Sequence, residues 1–181
     1  LLCAIGAGPC REICALTGAS MQTVTRLCKL GLLEQQEREV LRSPKQELPP
    51  PAEPITLTDE QQTAFDGLSA QMEREKPGAA LLYGVTGSGK TAVYVALIQK
   101  ALDEGRSAML LVPEIALTPQ LLGRMTAHFG KTVAVLHSSL RVGERYDEWR
   151  RIARGEARVV VGTRSAVFAP LQSPGLLILD E

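Results

Sequence analysis

Residues 84–91 read Gly84-Val85-Thr86-Gly87-Ser88-Gly89-Lys90-Thr91, which matches the G-x-x-x-x-G-K-[ST] spacing of a phosphate-binding loop at every fixed position. The chemistry requires those residue types. Glycines let the backbone curl until successive N–H groups face inward around phosphate oxygens. Lys90 supplies a point charge for the β- and γ-phosphates of a nucleotide, and the Thr91 hydroxyl is a ligand for Mg2+. A second set of oxygen donors stands where the apolar run Leu176-Leu177-Ile178-Leu179 delivers Asp180 and Glu181. In a nucleotide-hydrolysing site the aspartate holds Mg2+, often through water, and the glutamate orients or deprotonates the attacking water. Lys90, Asp180 and Glu181 are therefore the candidate catalytic set, with Thr91 and Asp180 as candidate metal ligands.

These groups act together only if secondary structure places them. Residues 79–83 form an apolar run of the buried-strand kind, and residues 92–98 continue as an apolar helix. The loop would then sit between a strand and a helix N-terminus, whose dipole favours an anion. Thr58 or Asp59 can cap a helix running through Phe65, Leu68 and Met72. Residues 107–112 read as a second strand. Thr118-Pro119 opens a helix in the favoured cap-then-proline order, with Leu121, Leu122, Met125 and Phe129 along its inner side. Residues 132–136, 158–161 and 176–179 read as further strands. The helix from Val142 places Val142, Tyr146, Trp149 and Ile152 on one apolar face. Repeated β–α units of this length predict a doubly wound parallel α/β sheet, with ligands at the carboxyl ends of its strands.

The proline-rich stretch Leu48-Pro49-Pro50-Pro51-Ala52-Glu53-Pro54 predicts a linker over residues 46–54, between a small module (1–45) and the α/β domain (55–181). In the small module, Pro9 to Leu16 reads as a short helix and Ser20 as the N-cap of a second, ended by Gly31. Residues 32–40 suggest a strand and wing, the outline of a winged helix-turn-helix. The second helix would turn Gln22, Thr25, Arg26 and Lys29 toward DNA, or the module serves as a protein-docking or spacer unit. All four cysteines (Cys3, Cys10, Cys14, Cys28) fall in this module without a C-x-x-C pair. That spacing suits reduced, mostly buried small residues in a cytosolic protein better than a zinc site.

Composition sets outer bounds. The 181 residues are 45% hydrophobic and 22% charged, which allows a true core, and at 4% aromatic that core must be aliphatic. No run is long enough to span a membrane. The chain starts with Leu and stops directly after a strand-like run, so a fragment of a longer protein is expected. Net charge is zero, yet residues 124–164 carry nine Lys/Arg against four Asp/Glu while residues 46–123 carry five against ten. Such asymmetry fits a basic face on part of the molecule, or solvated helix faces.

Three further strings are more selective than the loop: Leu111-Val112-Pro113-Glu114-Ile115-Ala116-Leu117-Thr118-Pro119-Gln120, Val135-Leu136-His137-Ser138-Ser139-Leu140, and Val161-Gly162-Thr163-Arg164-Ser165-Ala166-Val167-Phe168-Ala169-Pro170. With the loop, they make the region from about residue 55 onward resemble the first motor lobe of the PriA family of primosomal replication-restart helicases. The order of a winged-helix module followed by the lobe also resembles that family. The resemblance implies a RecA-like P-loop NTPase lobe in a bacterial ATP-dependent 3′→5′ DNA helicase. Its cofactors would be ATP and Mg2+, its partners branched or single-stranded DNA, primosome proteins and single-strand-binding proteins. It would be cytoplasmic and nucleoid-associated, with no membrane role. Residues 84–91 would bind the ATP phosphates, Gln61 resembles the adenine-recognising glutamine of related helicases, and Asp180-Glu181 would begin an Asp-Glu-Glu-His box. Pro113, Glu114, Thr118, Gly162, Thr163 and Arg164 resemble segments lining a single-strand track, where hydroxyls and backbone amides hold phosphates without reading bases. His137 is a motif residue near the nucleotide-coupled strands or a hydrogen-bonded surface histidine. Ala92 departs from the glutamate common after the loop threonine in that family. The family's second lobe, arginine finger, zinc-binding insertion and N-terminal DNA-end-binding domain have no counterpart in these residues, so nucleotide binding without unwinding is expected of the chain alone. The alternative is a winged-helix transcription regulator with a nucleotide-sensing domain.

Overall fold

Backbone polar groups need partners, and each compact unit of the chain supplies them differently. The computed structural model describes residues 8–36, 49–74 and 76–180. The chain divides into two compact units, residues 1–40 and 41–181. In the first, α1 (Cys10–Thr17) and α2 (Met21–Lys29) form the expected helix–turn–helix. Ser20 caps α2 by accepting from the Thr23 N–H. Gly31, at φ 70°, takes the left-handed conformation that closes a helix. The Leu32 N–H then donates back to the Leu27 carbonyl at 3.0 Å.

One expectation for this unit is not met among the described residues, and another is corrected. Residues 33–36 form no strand, so no wing is built among the described residues, and residues 37–40 lie outside them. Leu32 and Leu33 are adjacent and followed by Glu34-Gln35-Gln36, which leaves no alternating face for a strand to bury. Cys10, Cys14 and Cys28 are free and half-exposed rather than buried. Two short helices enclose little, and α1 buries no side chain at all. Cys3 lies outside the described residues. Among those residues no group of three or more His, Cys, Asp or Glu is arranged to hold a metal ion.

Among its described residues the second unit is built on four parallel strands: β1 (Ser107–Leu111), β2 (Val133–Leu136), β3 (Val159–Gly162) and β4 (Pro174–Leu179), in the order β2-β3-β1-β4. Its helices are α3 (Asp59–Met72), α4 (Lys90–Asp103), α5 (Pro119–Phe129) and α6 (Val142–Ala153). The pleat sends alternate strand residues to opposite faces. Ala108 and Leu110 join Ile98 of α4 and Met125 and Phe129 of α5 in one cluster. Met109 and Leu111 join Ile152 of α6 in another. Helices thus lie on both faces, as in doubly wound sheets, although Leu177 and Leu179 of β4, on the Met109/Leu111 face, are 55% and 66% exposed. Each fully buried aliphatic side chain, such as Ile98, Leu110 or Ile152, stabilises the unit by about 1.5–3 kcal/mol. Thr58 and Thr118 cap α3 and α5 as the sequence predicts.

Three details differ from expectation. Residues 79–83 join no ladder. Leu82 packs on the core, but Leu81 and Tyr83 are 87% and 90% exposed. An apolar run becomes a strand only beside a neighbour, and no described strand pairs with this one. The α6 helix also rolls away from its expected face. Ile152 is buried, while Val142, Tyr146 and Trp149 are exposed, with the Arg150 guanidinium 5.5 Å from the Tyr146 ring centre. What α6 turns to the sheet instead is Glu148 and Arg151. Glu148 Oε2 accepts from the Val135 N–H of edge strand β2 at 3.3 Å, and Arg151 donates to the Lys131 and Val133 carbonyls. An edge strand leaves polar groups open, and Glu148 and Arg151 are the side chains that take them up here. Finally, the proline-rich segment is tied down at its end: Ala52 N–H donates to the Ala127 carbonyl of α5 at 3.0 Å, and Ile55 packs on the core.

Candidate functional site

Parallel strands deliver their carboxyl ends to one side of the sheet, and backbone bonds lock the residues that follow. Asp180 N–H donates to the Leu111 carbonyl at 2.9 Å, Val112 N–H to Gly162 at 2.9 Å, and Thr163 N–H to Leu136 at 3.2 Å. The segments beginning at Pro113, Gly162 and Asp180 are thereby held side by side.

The phosphate-binding loop is pre-curled. Ser88 N–H donates to the Val85 carbonyl at 3.1 Å. Gly87 and Gly89 sit at φ 83° and 82°, where a side chain is strained. A β-carbon on Gly84 would lie 2.7 Å from Ser88 Oγ, so a side chain there would make the Ser88 hydroxyl rotate away. Gly89 precedes α4 with no side-chain cap, which leaves the helix N-terminus available to an anion. Val85, Thr86, Gly87 and Ser88 are exposed, and Lys90 and Thr91 half-buried. Lys90 Nζ folds into the loop, donating to the Gly84 carbonyl at 2.7 Å and to Val85 at 3.2 Å.

Gln61 reaches this loop from α3. Its Oε1 accepts from the Thr58 N–H, which completes a capping box, and its Nε2 donates to the Ser88 carbonyl, both at 3.0 Å. On the other side stands a residue that sequence inspection missed. Tyr94 OH donates to Asp180 Oδ1 at 3.0 Å. Burial, then the Asp180 charge and the hydrogen bond itself, push the phenol up to about 12. Two signals pointed to Tyr94: it follows Thr91 by three residues, on the same helix face, and a buried phenol needs an acceptor.

The donor set fits a nucleotide phosphate with its cation. A glycine cradle, a helix N-terminus and a lysine face the phosphate side, while the Thr91 hydroxyl and Asp180 carboxylate are hard oxygen ligands of the kind Mg2+ takes together with phosphates. Glu181 lies outside the described residues.

The remaining candidates divide by role. Glu114 and Arg164 are exposed, and among the described residues Arg164 has no ion pair. Thr163 is buried. Thr118 uses its hydroxyl to accept from the Leu121 N–H at 3.2 Å. Pro113 is half-buried and its carbonyl accepts from Ala116 and Leu117. A β-carbon at Gly162 would collide with the Leu136 carbonyl and lie 2.6 Å from Ala166 Cβ. His137 is half-exposed just beyond β2.

Residues 58–181 match the DEAD/DEAH box helicase family. The chain belongs to that family. The DEAD/DEAH box region opens on Thr58, the cap of α3, and so takes in Gln61, the loop and Asp180. The chain is similar to the replication restart protein PriA of Bacillus subtilis, 47% identical over 174 residues covering 96% of this chain and 22% of that protein. It is 45% identical over 162 residues to PriA of Synechocystis, covering 90% and 19%. To PriA of Chlamydia muridarum it is 49% identical over 129 residues, covering 71% and 17%. The chain thus spans about a fifth of the length of these curated relatives. No helix among the described residues is long and apolar enough to cross a membrane.

Proposed function

We propose that this chain is the ATP-binding motor lobe of a bacterial ATP-dependent 3′→5′ DNA helicase that restarts replication at stalled forks. The observation that carries this reading is the convergence of the loop, Lys90, Thr91 and Asp180 at the carboxyl side of a parallel sheet, in a chain whose curated relatives are replication restart proteins. Residues 84–91 cradle the phosphates, and Lys90 leaves its loop carbonyls for the β/γ-phosphate oxygens. Thr91 and Asp180 would hold Mg2+, whose charge would offset that developing on the phosphates. Glu181 orients the attacking water. Gln61 braces the loop beside the adenine. The exposed Glu114 and Arg164, with Pro113, Thr118, Gly162 and Thr163 shaping the strand ends behind them, line a single-strand track. The DNA is branched or single-stranded, and primosome and single-strand-binding proteins are the partners, in the bacterial cytoplasm at the nucleoid. The residues 1–45 module, as a winged helix, and the 46–54 linker precede the lobe. Without an arginine finger to stabilise the transition-state charge the chain alone binds nucleotide with negligible turnover, and strand separation needs a second lobe moving against this one.

The test is nucleotide binding and hydrolysis by the chain, with and without forked DNA. Lys90→Ala is expected to weaken Mg–ATP binding about 10- to 100-fold, the worth of a charge-assisted hydrogen bond. Arg164→Ala should weaken single-strand binding and spare nucleotide binding. Unchanged ATP affinity in Lys90→Ala, or preference for one duplex sequence, would overturn the proposal.

A further inference from the structure

We propose that Tyr94 is a positioning residue for the metal-bearing carboxylate: its hydroxyl holds one oxygen of Asp180 and leaves the other for the cation. The proposal rests on the nucleotide-and-Mg2+ reading above and extends it to a side chain outside the loop and the Asp-Glu pair. Three observations carry it. The phenol belongs to a helix whose first turn contains Lys90 and Thr91, and the three-residue spacing from Thr91 aligns the two hydroxyls on one face. The Tyr94 ring is only 7% exposed and is packed in the cluster that includes Val95, Ile98, Ala101 and Ile178, so the hydroxyl is carried by a fixed ring. Asp180 is fixed at its backbone by the 2.9 Å bond to Leu111, which leaves its side-chain torsions as the remaining freedom. The 3.0 Å bond from Tyr94 restrains those torsions. A buried phenol could be satisfied by any carbonyl; here its acceptor is the carboxylate 86 residues away that closes β4. Outer-shell donors of this kind fix ligand orientation, and their loss costs metal affinity more than fold.

Tyr94→Phe removes the hydroxyl and keeps the ring. Binding of a fluorescent ADP analogue to the full chain is measured in EDTA and across a Mg2+ titration, with Mn2+ binding followed by electron paramagnetic resonance. Affinity in EDTA and the thermal midpoint should hold, while the apparent Mg2+ and Mn2+ affinities fall about 10- to 100-fold. In an Asp180→Asn background the same substitution should have no further effect on cation affinity. A cation dependence within twofold of the parent, or an equal loss in the Asp180→Asn background, would overturn the role of Tyr94 alone. Failure of the parent chain to bind nucleotide, with or without cation, would overturn the underlying nucleotide reading instead.

Discussion

At Gly162 a single hydrogen atom decides where a strand can end. Its missing side chain lets the Leu136 carbonyl and Ala166 come close, which in turn lets Thr163 bond back to Leu136. Gly162→Ala should destabilise the second unit by about 1–3 kcal/mol, since backbone rather than a flexible side chain must yield; a lower urea midpoint at unchanged slope would show it. If single-strand binding falls in that variant, displacement of the adjacent Arg164 accounts for it. The Gly-Thr-Arg string was legible in the sequence as a unit, but its division of labour was not. Glycine and threonine serve packing there, and the arginine is left at the surface. Asp180 was equally legible as a strand-terminal acid, whereas its bond to Tyr94 crosses 86 residues and leaves no local trace.

Among the elements, α3 couples its own stability to the loop through one side chain. Gln61 offers its oxygen to the helix cap and its nitrogen to Ser88. Gln61→Glu keeps the cap acceptor but sets a carboxylate oxygen against the Ser88 carbonyl, so the helix cap should hold while the loop loses its tie and nucleotide affinity drops. Gln61→Ala should lose both, at about 1 kcal/mol for the cap; thermal unfolding and nucleotide titration separate the two effects. Caps are the part of the fold that a sequence states most openly. Ser20, Thr58 and Thr118 all fulfil their spacing rules because the partner N–H is three residues away. Residues 79–83 and the face of α6 were not legible for the opposite reason. A ladder depends on a neighbour that the run itself does not encode, and α6 answers to the open edge of β2 rather than to its own apolar period.

On the scale of the molecule, the alternation of apolar runs with helical stretches was enough to give a parallel sheet with helices on both faces, and with it the side on which ligand-binding residues converge. It did not give strand order, which places β1 between β3 and β4 and so sets Asp180 beside Pro113. The two margins of this sheet are unlike. At β2 the Glu148–Arg151 pair occupies backbone groups that another chain could otherwise claim, whereas no described strand lines the outer margin of β4. At β2, side chains of the same chain take up polar groups that a neighbouring strand would otherwise pair with, a guard against edge-to-edge joining. Glu148→Ala combined with Arg151→Ala should therefore raise concentration-dependent association relative to the parent chain, read by sedimentation velocity.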